Sequence, residues 1–201
     1  MNVFLIVDIQ NDFLPGGSLA VKDGDRIIPL INRLQEKFDL VVATQDWHPQ
    51  NHKSFASNHP GKIPFDRIML GGLPQVLWPD HCVQGSFGAD FSKEFNMNRV
   101  EAIFRKGMDP EIDSYSAFYD NGHKKSTGLA DYLRGRRADK VFMAGLARDY
   151  CVYYSVKDAI KEGFNIAVIE DAAMPIDLKE SEDKMNEIRR LGARIIHSSS
   201  L

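Results

Sequence analysis

Residues 141–152 read VFMAGLARDYCV. The stretch is apolar and rich in strand-forming side chains as far as Gly145, and a helix-like segment begins near Asp149. It therefore predicts a strand that ends in a short turn and leads into a helix, with Cys151 in the first helical turn. A strand joined to a helix in this way is the repeating unit of an α/β fold.

The position of Cys151 allows two interpretations. The N-terminus of a helix favours negative charge, which can lower a thiol pKa below its free value of about 8.5. Backbone N–H groups in this turn, those of Ala147 and Cys151, could also hold an oxyanion. A buried structural thiol is the common alternative. This segment alone favours neither interpretation.

Apolar runs of strand length alternate with amphipathic segments along the rest of the chain. The pattern predicts strands at 3–7, 40–44, 99–104, 141–144, 166–169 and 193–196, and helices at 25–38, 126–134, 149–162 and 178–191. This alternation predicts a mainly parallel sheet with helices on both faces. The length of 201 residues is that of a single domain, 1–201.

Composition narrows the possible partners and the location. A net charge of -3 without a basic stripe argues against nucleic-acid binding, and no apolar run has the length of a membrane span. The first residues, MNVFLIV, lack the basic region of a signal peptide. In such a chain, Cys82 and Cys151 are expected as reduced thiols. We therefore predict a cytoplasmic protein that acts on a small molecule, with its oligomeric state open.

Polar side chains follow most of the predicted strands. They are Asp8, Asp46, His48, Lys106, Cys151 and Asp171. Because ligands bind at the carboxyl ends of parallel strands, we expect these side chains to converge in space.

Three of these residues could support covalent catalysis. Asp8 can accept the thiol proton of Cys151, and Lys106 can pair with both Asp8 and the thiolate. Such a set would attack a carbonyl carbon, expel an amine or ammonia, and leave a thioester that water activated by Asp8 hydrolyses. Each residue alone has an ordinary structural explanation, but three of them at one edge of the sheet are harder to explain in that way.

A metal site is the second possibility at this edge. Residues 48–98 have little periodicity and contain four of the six histidines, and long connections of this kind are usually functional. Asp46 and His48 lie on the same side of an extended segment, and His81 could complete a set suited to Zn²⁺, Fe²⁺ or Mn²⁺. His52 is an alternative ligand. Unrelated surface histidines are the other explanation of the pattern.

Three aromatic residues, Phe13, Trp78 and Tyr115, lie in loops expected at the same edge. Together they could clasp a flat ring, although packing in the core is the alternative for each of them.

An ordered set of motifs carries a family resemblance. These motifs are LIVDIQNDF (5–13), TQDWHP (44–49), HKSFASNH (52–59), LWPDHCV (77–83), RKG (105–107), DSYSAF (113–118) and GLARDYCV (145–152). With them the chain resembles the nicotinamidase/pyrazinamidase group of the isochorismatase-like cysteine hydrolases. The resemblance implies a three-layer α/β/α fold with a six-stranded parallel sheet. It also implies hydrolysis of nicotinamide to nicotinate and ammonia, a step of NAD salvage, and of pyrazinamide.

The resemblance also implies roles for individual residues. Asp8, Lys106 and Cys151 match the catalytic triad; Asp46, His48 and His81 match the ligands of one divalent metal ion that meets the pyridine nitrogen; and Phe13, Trp78 and Tyr115 match positions around the ring. The metal is expected to be Zn²⁺, with Fe²⁺ or Mn²⁺ also compatible. A cis peptide bond is expected before Ala147.

One departure and several alternatives remain. Arg148 stands where many relatives carry Thr, and we expect it to alter the pocket rim or the substrate tolerance.

A related cysteine amidase acting on another small amide or carbamoyl compound would keep the triad but lack the metal set. A metallohydrolase with Cys151 as a bystander, or a non-catalytic thiol- or metal-binding protein, would not use the thiol for hydrolysis.

Overall fold

A six-stranded parallel sheet forms the centre of the computed structural model, which describes residues 1–201. Its strands are β1 (Asn2–Val7), β2 (Leu40–Asp46), β5 (Val100–Lys106), β6 (Lys140–Leu146), β7 (Asn165–Met174) and β8 (Arg194–Ile196). Their order is β5-β2-β1-β6-β7-β8, and every neighbouring pair is parallel. The predicted fold class is therefore confirmed.

The central strand β1 has both faces buried. Phe4 and Ile6 belong to one hydrophobic cluster, whereas Val3, Leu5 and Val7 belong to the other. Because successive side chains of a strand point to opposite faces, a continuous apolar run is what a strand covered on both sides requires.

Helices cover both faces of the sheet. They are α1 (Ile28–Leu34), α2 (Leu129–Gly135), α3 (Tyr153–Lys161) and α4 (Leu178–Arg190). Residues of α1 pack in the cluster that contains Phe4, and residues of the other three pack in the cluster that contains Leu5. None of these helices is long and apolar enough to cross a membrane.

Two helix starts differ from the prediction. The helix expected from residue 126 begins only at Leu129, because Gly128 has a left-handed backbone with φ of +86°. The helix expected from residue 149 is preceded by a π-helical turn, Arg148–Val152, which contains Cys151. Single π turns inside or beside α-helices are frequent at functional sites.

The region 48–98 is more ordered than its sequence pattern indicates. It contains an antiparallel hairpin of β3 (Arg67–Leu70) and β4 (Leu73–Val76), joined by Gly71 and Gly72. Both glycines have positive φ, as a two-residue hairpin turn requires. The expectation of a long region without periodic structure is therefore wrong for this part, and the Gly-Gly pair between apolar residues was the signal for the hairpin.

Strand β7 is longer than its apolar core and contains Asp171. The Asp171 carboxylate accepts hydrogen bonds from the backbone N–H and the hydroxyl of Ser198, at 2.8 and 2.5 Å. The expectation that Asp171 would join the other strand-end residues is wrong, because this side chain fixes the C-terminal turn instead.

Candidate active site

The remaining strand-end residues come together at the carboxyl edge of four neighbouring strands. Asp8 directly follows β1, Asp46 ends β2, Lys106 ends β5, and Cys151 lies in the turn after β6. All four residues are buried. Asp8 has a left-handed backbone with φ of +50°, which is uncommon for a residue other than glycine. The convergence of these four side chains was predicted from the sequence.

The Lys106 ammonium is the hub of this cluster. Its Nζ lies 2.8 Å from Asp8 Oδ2 and 3.5 Å from Cys151 Sγ, and it donates to Asp46 Oδ1. Burial alone would lower the pKa of Lys106, but the Asp46 and Asp8 carboxylates raise it well above its usual range. The lysine therefore stays charged and pairs with two carboxylates at once.

Burial has the largest effect on the pKa of Cys151. Burial raises the pKa of the Cys151 thiol well above its usual range, and the neighbouring Lys106 opposes this effect while Asp8 adds to it. Burial therefore outweighs any lowering of the thiol pKa by the helix N-terminus in the resting site. Burial also raises the pKa of Asp8, against the effect of Lys106. A neutral thiol thus lies beside a carboxylate whose affinity for a proton is increased.

The turn before Cys151 leaves a backbone donor free. The Ala147 N–H donates to no protein acceptor, whereas the Ala147 carbonyl accepts from the N–H groups of Tyr150 and Val152, each at 3.1 Å. The peptide bond between Leu146 and Ala147 is cis, as the family resemblance implies. The Cys151 carbonyl accepts a hydrogen bond of 2.6 Å from the Ser155 hydroxyl, which fixes the turn to α3.

Asp46, His48 and His81 form a compact set of metal donors. Asp46 Oδ2 lies 3.7 Å from His48 Nε2 and 3.9 Å from His81 Nε2. The three donor atoms lie within 4.8 Å of one another, a spacing that a cation about 2.0–2.2 Å from each atom can bridge. Each Nδ1 is within hydrogen-bond distance of a carbonyl, that of Gly107 for His48 (2.9 Å) and that of Pro79 for His81 (2.8 Å). Both Nε2 atoms are thereby directed at the cation position, so the set fits a divalent metal.

The protonation of the two histidines bears on metal binding. Burial, together with the neighbouring His48, lowers the pKa of His81 to about 4, so that its imidazole is neutral at pH 7 as ligation requires. Burial would also lower the pKa of His48, but Asp46 raises it, so a cation competes with a proton at His48.

Two residues that support the metal set were not predicted. The Gln10 amide donates to the Asp46 carbonyl and accepts from the Asp46 N–H, both at 2.8 Å, which fixes the Asp46 backbone. Gly107 has φ of +69°, and a Cβ atom at this position would lie 2.2 Å from the His48 ring. Only glycine meets both constraints. Both residues lie within the family motifs, but their contacts could not be derived from sequence spacing.

His52 belongs to a different group of side chains. Its Nδ1 accepts a hydrogen bond from the Ser54 N–H at 3.1 Å, and its donor atom clusters with those of His48 and Asp113 rather than with Asp46 and His81. The structure therefore separates this alternative ligand from the Asp46 set, although the His48 and His52 rings are only 4.5 Å apart.

Aromatic side chains line a pocket above Cys151. Phe13, Trp78 and Tyr115 all line it, as predicted, together with Ala147, Asp46 and His81. Further lining residues, which the sequence analysis did not identify, are Leu19, Asp113, Tyr150 and Ile176. Tyr150 packs edge-on against Trp78, with ring centroids 5.0 Å apart. The position of Tyr150 next to Cys151 in the sequence could have identified it as a pocket residue, whereas Ile176 lies far from the motifs in sequence.

Arg148 does not line this pocket. Its Nε donates to the Ser181 hydroxyl of α4 at 2.8 Å, and its Nη1 lies 3.5 Å from the Glu170 carbonyl. The expectation that Arg148 alters the pocket rim is therefore not supported by its position, because the side chain ties the turn to α4.

We expect Arg148→Thr to change kcat/KM by no more than about 2-fold. The substitution removes a hydrogen bond outside the pocket, so its effect should be a loss of about 0.5–1.5 kcal/mol of unfolding free energy. Steady-state kinetics with two amide substrates and urea denaturation measure the two effects. A tenfold change in the ratio of kcat/KM between the substrates would contradict this expectation.

The chain is similar to known proteins over nearly its whole length. The isochorismatase domain family matches residues 2–200. A nicotinamidase from Acinetobacter baylyi is 48% identical over 198 residues, which cover 98% of this chain and 92% of that protein.

Solved structures are similar over nearly the whole chain. A nicotinamidase/pyrazinamidase from Acinetobacter baumanii has a TM-score of 0.96 at 48% identity, covering 99% of this chain and 97% of the other. PnC1 from L. infantum, in complex with nicotinate, has a TM-score of 0.88 at 39% identity, with coverages of 100% and 94%. The pyrazinamidase of Pyrococcus horikoshii, in complex with zinc, has a TM-score of 0.80 at 35% identity, with both coverages at 98%.

Proposed function

This chain belongs to the isochorismatase family, and on that premise we propose that it hydrolyses nicotinamide to nicotinate and ammonia, a step of NAD salvage. The observation that carries the proposal is the junction of two sets of residues at one pocket. Asp8, Lys106 and Cys151 can perform amide hydrolysis, and the Asp46 set beside them can hold a metal. An amidase whose substrate is not oriented by a metal would need only Asp8, Lys106 and Cys151.

The pocket can orient a flat ring before any chemistry takes place. Phe13, Trp78 and Tyr115 provide apolar walls, and they exclude water from the buried thiol. A divalent cation held by Asp46, His48 and His81 would supply a Lewis-acid contact for the pyridine nitrogen. We propose that this cation is Zn²⁺, which the donor set and the zinc-bound relative from Pyrococcus horikoshii support.

The first half of the reaction forms a thioester. The Cys151 thiol gives its proton to Asp8, and Sγ attacks the carboxamide carbon. The N–H groups of Ala147 and Cys151 receive the oxyanion. When the C–N bond breaks, Asp8 returns the proton to the leaving nitrogen and ammonia departs. Lys106 remains charged throughout and offsets the negative charge that moves between the thiolate and Asp8.

The second half releases the acid. A water molecule gives one proton to Asp8 as its oxygen attacks the thioester carbon, and the C–S bond breaks to form nicotinic acid, which loses its remaining proton to solvent as nicotinate. The Cys151 thiolate then recovers its proton from Asp8. Because Asp8 acts as a base and then as an acid in each half of the reaction, an increased proton affinity suits its role.

A substrate panel tests this function. Ammonia release is measured with nicotinamide, pyrazinamide, a carbamoyl amide and a ureido compound. We expect turnover of nicotinamide and pyrazinamide. Turnover of the carbamoyl or ureido compound alone would favour a related cysteine amidase, and release of no ammonia from any of them would favour a non-catalytic binding protein.

Loss of a metal ligand should remove the metal. We expect the wild-type protein to hold about one divalent ion per chain after dialysis, and His81→Ala to weaken metal binding by at least about 100-fold, because one of three donors is lost. Elemental analysis identifies the metal, and titration calorimetry gives its affinity. His197→Ala, at an exposed histidine, is the matched control and should bind metal like the wild type. Unchanged metal content in His81→Ala would contradict the ligand assignment.

A further inference from the structure

Gln75 is a buried residue of the β3–β4 hairpin that makes several polar contacts. Its Nε2 lies 2.8 Å from Asp113 Oδ2, 3.0 Å from the Tyr115 hydroxyl oxygen and 2.7 Å from the Val76 carbonyl. Gln75 does not line the pocket, whereas Asp113 and Tyr115 do. The amide therefore lies directly behind the pocket wall.

The same contacts reach Trp78 through Tyr115. The Tyr115 hydroxyl accepts a hydrogen bond from Trp78 Nε1 at 3.3 Å as well as the one from Gln75. Two donors on one oxygen fix the position of the hydroxyl and leave its own hydrogen for another acceptor. The two rings are nearly perpendicular, at 86°, with centroids 6.1 Å apart. Gln75 thus contacts the corner at which the Tyr115 and Trp78 rings meet.

The reacting groups are held by a different part of the structure from the aromatic residues. Asp8, Lys106 and Cys151 are positioned by the ends of the main-sheet strands, and none of them forms a hydrogen bond with Gln75. Tyr115 and Trp78 lie outside the strands, so their orientation depends on contacts of this kind. A change at Gln75 should therefore disturb the site that holds the ring more than the site of bond cleavage.

We propose that Gln75 is a positioning residue that sets the affinity of the pocket for an aromatic amide by fixing Tyr115 and Trp78. The inference rests on the proposed function, since it takes the ring of nicotinamide as the ligand. Its effect is expected in KM, and in the affinity for the product nicotinate, rather than in kcat.

Gln75→Leu tests the inference directly. We expect KM for nicotinamide to rise about tenfold, which corresponds to the loss of one buried hydrogen bond, while kcat changes by less than about 3-fold. In a Tyr115→Phe background the same substitution should raise KM by less than about 2-fold, because the hydroxyl that Gln75 holds is absent. An equal effect in both backgrounds, or an effect on kcat alone, would overturn the inference.

Two further variants guard against a simple loss of folding. Gln75→Leu leaves a buried oxygen of Asp113 without its partner, so thermal unfolding is recorded for each variant. Gln75→Asn keeps an amide that is too short to reach Tyr115, and it should show a similar rise in KM. Gln84→Leu removes an exposed glutamine amide outside the pocket and should leave KM unchanged. An unchanged KM in Gln75→Asn sinks the inference even when Gln75→Leu does not fold.

The outcome for Gln75 can be separated from the outcome for the proposed function. Absence of ammonia release by the wild type would count against nicotinamide hydrolysis itself. Turnover by the wild type, together with unchanged KM and unchanged nicotinate affinity in the Gln75 variants, would count against the positioning role alone.

Discussion

Cys151→Ala is expected to lower kcat for ammonia release from nicotinamide by at least about 10⁴-fold, because the covalent route has no other nucleophile. Cys151 Sγ is 3.5 Å from the Lys106 ammonium, in a buried site that no second thiol shares. A sensitive ammonia assay at saturating nicotinamide measures the loss. Rapid acid quenching followed by mass spectrometry should detect a nicotinoyl adduct on the wild type and none on the variant.

Cys82→Ala provides the matched control. Cys82 is the other buried free thiol, and its side chain faces the Gly88 carbonyl at 4.0 Å. Its loss should cost about 1 kcal/mol of stability and leave kcat within about 3-fold. If Cys151→Ala kept its activity, the thioester route would be wrong. That result would support the alternative of a metallohydrolase, in which the metal activates water and Cys151 takes no part.

The second large effect concerns Lys106. Replacement by Met removes the ammonium shared by Asp8 and Asp46, which leaves the Asp8 carboxylate buried without a cationic partner and Asp46 paired only with the metal set. Because breaking a buried ion pair from one side is costly, we expect the free energy of unfolding to fall by about 3–5 kcal/mol. We also expect kcat/KM to fall by at least about 100-fold, since the charge that balances Asp8 and the thiolate is lost. Urea denaturation and ammonia release measure the two effects.

A control variant and a double variant accompany Lys106→Met. Lys22→Met, at an exposed lysine, should change stability by no more than about 0.5 kcal/mol. Adding Asp8→Asn to Lys106→Met removes the uncompensated charge of Asp8 and should restore part of the lost stability, without restoring activity. Wild-type stability in Lys106→Met would contradict the shared ion pair.

Most of the site could be located from the sequence because the carboxyl ends of parallel strands lie along one edge of the sheet. Asp8, Asp46 and Lys106 could each be assigned to a strand end from local hydrophobicity, and the geometry of the sheet brings those ends together. Asp171 fails the same rule because β7 continues beyond its apolar run and pairs again with β6 at Ala173, after a break in register. Local hydrophobicity contains no information about such pairing.

The chemistry was harder to predict than the positions. The sequence left open whether the helix terminus lowers the thiol pKa, because the pKa of Cys151 follows mainly from burial, with Lys106 and Asp8 as opposing neighbours. Gln10 and Gln75 were missed for a related reason. Their role is defined by hydrogen bonds to residues distant in sequence, such as Asp46 and Tyr115.

The central place of β1 has a consequence for the way in which the protein acquires activity. β1 precedes the other strands of the sheet, yet its partner β6 follows about two thirds of the chain later, since Asn2 pairs with Lys140. The base and the nucleophile therefore meet only after the most distant strands have paired, a slow step in a fold rich in non-local contacts. After dilution from denaturant, ammonia release should return later than helical circular dichroism, so recovered turnover would report completion of the sheet.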